Sequence, residues 1–88
     1  MTAEEKIDEI KNKNILVTGG CGFIGSEVVK QLSKLGANIT IIDNLSSGKE
    51  DYVKGLPNTE LIIAELSDLE QLKKSVKNKD YVIHLAAL

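Results

Sequence analysis

An apolar run, Ile15-Leu16-Val17, leads directly into Thr18-Gly19-Gly20-Cys21-Gly22-Phe23-Ile24-Gly25, and a helical pattern follows. The three apolar residues are predicted to form a short buried strand. After the glycines, Ile24, Val28, Leu32 and Leu35 recur at helical spacing, and Gly36 supplies a left-handed stop. Strand, glycine turn and helix in that order bring a helix N-terminus up to a pyrophosphate. Gly19 would permit the tight turn. Gly22 would let backbone come close to phosphate oxygens with no β-carbon in the way, and Gly25 would let the helix pack tightly on the first strand.

A second β-branched run, Asn38-Ile39-Thr40-Ile41-Ile42, ends at Asp43, 18 positions after Gly25. That is close to the spacing of about 20 expected for a carboxylate that accepts from the hydroxyls of an adenosine ribose. The plainer role for Asp43-Asn44 is to start a turn. Strand end and glycine spacing agree independently, so ribose binding is the expectation.

Eighty-eight residues make one small domain, and a chain of this size buries only about 60–65% of its unfolded surface. The apolar fraction of 42% suits a globular core, and no run approaches the ~20 apolar residues of a membrane span. The first 13 residues are mixed in charge, without the apolar centre of a signal peptide, and a cytoplasmic location is expected. A net charge of −2 argues against a nucleic-acid surface. All 11 basic residues are lysines, so no guanidinium clamp for phosphate exists. The single cysteine excludes an internal disulfide and disfavours a cysteine-based metal site.

Residues 1–13 form a charged extension in which Ile7 and Ile10 sit three apart, a spacing that allows a short helix touching the domain, with a frayed, solvated state the favoured expectation. Residues 14–88 are expected to form the domain. Leu45-Ser46-Ser47-Gly48-Lys49 is a polar loop, Glu50 to Lys54 suits one or two helical turns, and Gly55-Leu56-Pro57-Asn58 is a turn. Leu61-Ile62-Ile63 is predicted as a third strand. Ser67-Asp68-Leu69-Glu70 has capping-box spacing, with Leu69, Leu72 and Val76 as an apolar stripe behind it. Tyr81 to Leu85 is predicted as a fourth strand. The pattern βαβαβαβ implies a Rossmann-type parallel sheet with strand order 3-2-1-4 and a ligand crevice at the carboxyl ends of its strands. Such folds continue with further strands, so the fourth strand is expected to be left as an edge open to self-association.

Three segments carry a specific resemblance: Thr18-Gly19-Gly20-Cys21-Gly22-Phe23-Ile24-Gly25-Ser26, Asp43-Asn44-Leu45-Ser46-Ser47-Gly48 and Val82-Ile83-His84-Leu85-Ala86-Ala87. Together they resemble the extended short-chain dehydrogenase/reductase family, in particular its NAD-dependent sugar-nucleotide epimerases and dehydratases of the UDP-glucose 4-epimerase kind. The resemblance runs from about Asn14 to Leu88. It implies that Gly19, Gly22, Phe23, Ile24 and Gly25 lie along the pyrophosphate of NAD. Asp43 and Asn44 would meet the adenosine ribose, with Ser46, Ser47 and Gly48 at the same end. Where the family usually carries Gly-Asp and an apolar residue, this chain has Ala64, Glu65 and Leu66, so the acceptor for the adenine amino group is one methylene longer. Leu85, Ala86 and Ala87 would pass under the nicotinamide ribose.

The resemblance further implies a catalytic Tyr-x-x-x-Lys, in which tyrosinate removes a substrate proton while hydride moves to the nicotinamide. Four positions after Tyr52 is Leu56, and four after Tyr81 is Leu85. The chain is therefore expected to be the N-terminal, cofactor-holding part of a longer enzyme, non-catalytic by itself, with a nucleotide-sugar substrate only in the full-length parent. A stand-alone nucleotide-binding module is the competing expectation. A receiver-like domain is a weaker third, because Thr18-Gly19-Gly20 supplies no acidic residue for Mg²⁺. NAD is expected over NADP: a 2′-phosphate about 4 Å from Asp43 would cost about 4 kcal/mol per charge pair at an effective dielectric near 20.

Two residues invite chemistry that their surroundings argue against. Cys21 is expected to be a small spacer between glycines, and His84 a half-buried packing residue of the fourth strand. Tyr52 and Tyr81 are expected to cover apolar surface. Lys73, Lys74, Lys77 and Lys79 belong to a solvated face.

Overall fold

The computed structural model describes residues 9–46 and 48–85. Strands β1 (Asn14–Thr18), β2 (Asn38–Asp43), β3 (Thr59–Ile63) and β4 (Tyr81–His84) form a parallel sheet in the order β3-β2-β1-β4. The order agrees with that expected from the alternation of strand and helix patterns. β1 is central, with Ile15 beside Ile39 of β2 on one side and Tyr81 of β4 on the other. Helix α1 (Phe23–Lys34) crosses from β1 to β2, and α2 (Leu69–Val76) from β3 to β4. Between β2 and β3 lies a single 3-10 turn, Glu50–Tyr52, shorter than the expected helical segment.

The two central strands carry the core. Ile15, Val17, Ile39 and Ile41 share one face with Cys21, Val29, Ala37 and Val53. Leu16 and Ile42, on the alternate positions, are also fully buried. Burial on both faces explains why β1 and β2 are nearly continuous apolar runs rather than alternating ones. Each such side chain contributes roughly 1.5–3 kcal/mol over an exposed one. Ile10, near the end of the extension, packs against this core rather than being solvated as favoured from the sequence. Ile7 lies outside the described residues.

The helix faces differ from the sequence expectation. In α1 the buried residues are Gly25, Ser26 and Val29, whereas Ile24 is 71% exposed. The buried face is rotated by one residue at its start, where Gly25 closes on the Gly19 turn with no room for a β-carbon; further along, Val29 joins the core and the expected Leu32 packs against it. Gly36 does adopt the left-handed conformation, at φ 85°. In α2 the N-cap is Asp68, not Ser67: its Oδ1 accepts from the Gln71 N–H at 3.1 Å. A carboxylate at that end also meets the positive pole of the helix. The expected stripe of α2 is mostly uncovered among the described residues, with Leu69 at 65% and Val76 at 40% exposure. Its buried residue is Ser75, whose Oγ donates to the Gln71 carbonyl at 2.8 Å. Tyr52 and Tyr81 keep 37% and 46% of their surface exposed, and Tyr52 shares a shallow depression with Phe23 and Ile24.

Candidate functional site

The carboxyl ends of the four strands open onto a cleft of about 450 Å³. Its first wall is the turn between β1 and α1. Gly19 turns the chain with a positive φ of 76° and donates its N–H to the Ile42 carbonyl at 2.8 Å. Gly22 is the N-cap of α1 and has no side chain to satisfy the helix. The first helical bond runs from the Ser26 N–H to the Gly22 carbonyl at 2.8 Å. The N–H groups ahead of it have no intrahelical acceptor, no side chain caps the helix, and its first turn holds no acidic residue. That leaves an uncompensated positive helix end at the cleft, suited to an anion.

Gly25 is required by sterics. A β-carbon there would overlap the Gly19 carbonyl oxygen, so the close partner is the turn itself rather than the body of the first strand.

The second wall starts at Asp43. Its Oδ2 accepts from the Cys21 N–H at 2.9 Å and its Oδ1 from the Leu45 N–H at 2.8 Å. Asp43 therefore does begin a turn, and it also faces the glycine loop. Each carboxylate oxygen retains lone-pair capacity beyond these bonds. Asn44 donates from Nδ2 to Glu65 Oε2 at 3.0 Å and accepts from the Ser46 N–H at 2.9 Å.

Of the residues expected at a cofactor, Gly19, Gly22, Phe23, Ile24, Gly25, Asp43, Asn44, Ser46, Glu65, Leu66 and Leu85 all line this cleft. Gly48 does not. It packs on the back of the glycine turn, where a β-carbon would overlap the Cys21 carbonyl oxygen. The adjacent Lys49 N–H donates to that same oxygen at 3.0 Å. Ser47, Ala86 and Ala87 lie outside the described residues. Ile42 and Ser67 also line the cleft and went unanticipated, although each neighbours an expected residue. Gly20 has a packing role that its place in the triplet only hints at. A β-carbon there would lie 2.6 Å from Ile41 Cγ2.

Cys21 is fully buried, its thiol pushed up from 9.0 to about 11 by burial, then by the charges of Asp43 and Glu50. It is a spacer whose backbone groups are both used by the loops around it. His84 departs from expectation, being exposed rather than half-buried. Its Nδ1 lies 2.6 Å from Thr18 Oγ1, joining the ends of β4 and β1 beneath the cleft. The Leu85 N–H, donating to the Thr18 carbonyl at 2.9 Å, continues that pairing past the strand end. Among the described residues no group of three or more His, Cys, Asp or Glu side chains is arranged to hold a metal ion. No described helix is long and apolar enough to cross a membrane.

A parallel sheet in this order, with a glycine turn closing on its first helix and an acidic residue ending β2, defines a dinucleotide-binding α/β fold. Residues 15–88 match the NAD dependent epimerase/dehydratase family, and the chain belongs to it. Among its relatives is a UDP-N-acetyl-alpha-D-glucosaminuronate decarboxylase of Bacillus cytotoxicus, 40% identical over 77 residues, 86% of this chain and 24% of the relative. The structure of the epimerase Mth375 from Methanothermobacter thermautotrophicus superposes with a TM-score of 0.89 at 41% identity, covering 96% of this chain and 25% of that one. The Bordetella bronchiseptica enzyme WbmF, solved in complex with NAD+, gives a TM-score of 0.83 at 36% identity over 91% of this chain and 24% of its own. The chain thus spans about a quarter of the length of the relatives it matches.

Proposed function

We propose that residues 14–88 are the NAD-binding N-terminal segment of a sugar-nucleotide epimerase or dehydratase, with residues 1–13 as an extension to it. The observation that carries this reading is the convergence of the uncapped α1 N-terminus, Asp43 and Glu65 on one cleft. The pyrophosphate of NAD lies on the amides of residues 22–25, where helix polarity favours negative charge. Asp43 receives the adenosine ribose hydroxyls, and Glu65 with Leu66 meets the adenine. Leu85, with Ala86 and Ala87, borders the nicotinamide ribose. Bound NAD supplies a transient hydride acceptor for a sugar carbon, which in an epimerase returns the hydride and makes the enzyme an isomerase.

In this reading the 88 residues hold the cofactor and the catalytic base comes from the remainder of the parent enzyme, since neither Tyr52 nor Tyr81 is followed by lysine at the fourth position. The nucleotide sugar binds only in that longer protein. A cytoplasmic location accompanies it, as does self-association through the outer edge of β4, where Tyr81 and Val82 are about half exposed.

Titration of the chain with NAD and with ADP-ribose, followed by amide NMR shifts, tests the proposal. Changes are expected to gather at residues 19–25, 43–48 and 85–87. Scattered or absent changes overturn it and favour a module with another role.

A further inference from the structure

The register of β2 and β3 pairs Asp43 with Ile63, and the Ala64 N–H continues the ladder by donating to the Asp43 carbonyl at 3.2 Å. Asn44 and Glu65 therefore leave adjacent strands side by side at the mouth of the cleft, which both of them line. The Ser46 N–H is a donor, so the Asn44 atom 2.9 Å from it is the carbonyl oxygen. That fixes the other end of the amide as the NH₂ group, which donates to Glu65 Oε2 at 3.0 Å. A chain of polarity follows: backbone N–H to amide carbonyl, amide NH₂ to carboxylate. It leaves Glu65, a residue that lines the cleft, with Oε1 as a second acceptor.

We propose that Asn44 is a positioning residue: its amide turns the longer Glu65 side chain so that the site discriminates an amino from a carbonyl group at C6 of a purine. The inference rests on the NAD reading above. An acceptor held in place pairs with the 6-amino group of adenine and opposes the 6-carbonyl of hypoxanthine. A freely rotating glutamate loses more side-chain entropy in doing so. This gives Asn44 a task distinct from contact with the ribose.

The test is binding of NAD and of nicotinamide hypoxanthine dinucleotide to the 88-residue chain and three variants, with the amide spectrum of each read for retention of the fold. The unsubstituted chain favours NAD by about tenfold, the worth of roughly one hydrogen bond. Asn44→Asp keeps an oxygen for the Ser46 N–H but replaces the donor to Glu65, and the preference falls towards one. Glu65→Gln accepts from Asn44 through its carbonyl and turns its NH₂ to the cleft, so the preference reverses. In the double variant, which combines Asn44→Asp with Glu65→Gln, the glutamine NH₂ donates to the carboxylate introduced at position 44. Its carbonyl then returns to the cleft, and the preference for NAD is restored. Equal loss of both dinucleotides in Asn44→Asp, with the ratio unchanged, overturns the inference while leaving the NAD reading of the unsubstituted chain intact. Failure of the unsubstituted chain to bind NAD overturns the functional reading and the inference with it.

Discussion

Asp43 Oδ2 accepts the backbone N–H of Cys21 at 2.9 Å, so the carboxylate that ends β2 also holds the glycine turn that ends β1. A side chain expected to meet a ligand thus first shapes the loop beside it. The turn is pre-formed by Asp43 on one side of Cys21 and by the Lys49 N–H on the other.

Asp43→Ala leaves the N–H groups of Cys21 and Leu45 without their acceptor. Hydrogen bonds to a charged group are worth about 1.5–3 kcal/mol, so stability is expected to fall by about 2 kcal/mol in urea unfolding. NAD affinity falls as well, and the preference for NAD over NADP disappears with the charge. An unsubstituted chain that binds NADPH as tightly as NADH contradicts the ribose assignment.

Gly25→Ala forces α1 away from the Gly19 carbonyl. Overpacking of this kind costs about 1–3 kcal/mol, which the better helix propensity of alanine only partly offsets. Loss of ADP-ribose binding should accompany it, because the helix end is displaced from the turn. Glu27→Ala, an exposed position on the same helix, is expected to leave both quantities nearly unchanged.

Cys21 gives a pH dependence of known sign. Its thiol is raised from 9.0 to about 11 in the folded chain, chiefly by burial. Between those values the folded state binds more protons than the unfolded state, so stability falls as pH rises through that window. Below pH 9 the contribution is fully present. The decline should be shallower in Cys21→Ala, measured by urea unfolding at intervals from about pH 8 to about pH 11. At about pH 8 a disulfide reagent should label the unfolded chain far faster than the folded one.

Thr18 and His84 close the sheet beneath the cleft. Thr18→Val removes a bond worth about 1 kcal/mol. The expected signature is local: faster hydrogen exchange at the Leu85 amide, which donates to the Thr18 carbonyl, while the amides of β2 and β3 keep their protection. Uniformly faster exchange would mean that the pair supports the whole fold instead.

Much of the site was legible because its determinants are local. Gly19 and Gly36 mark left-handed positions that sequence context alone demanded, and Asp43 marks the end of an apolar run. The contacts that escaped notice depend on partners distant along the chain. His84 bonds a threonine 66 positions away. Gly48 faces the back of the glycine turn rather than the cleft, a matter of how two loops cross. Asn44 is committed to Glu65 only because β2 and β3 run in register.

The order of strands and helices, the glycine turn and the acidic end of β2 were set by the sequence itself, since each follows from local backbone preference and the period of apolar residues. Which face of α1 is buried, which residue caps α2 and which side chains meet at the cleft were decided by the tertiary structure. Periodicity can assign a helix but not its rotation to within one residue. That rotation is chosen by close packing, where Gly25 fits against the Gly19 turn and Val29 enters the core while Ile24 is left exposed.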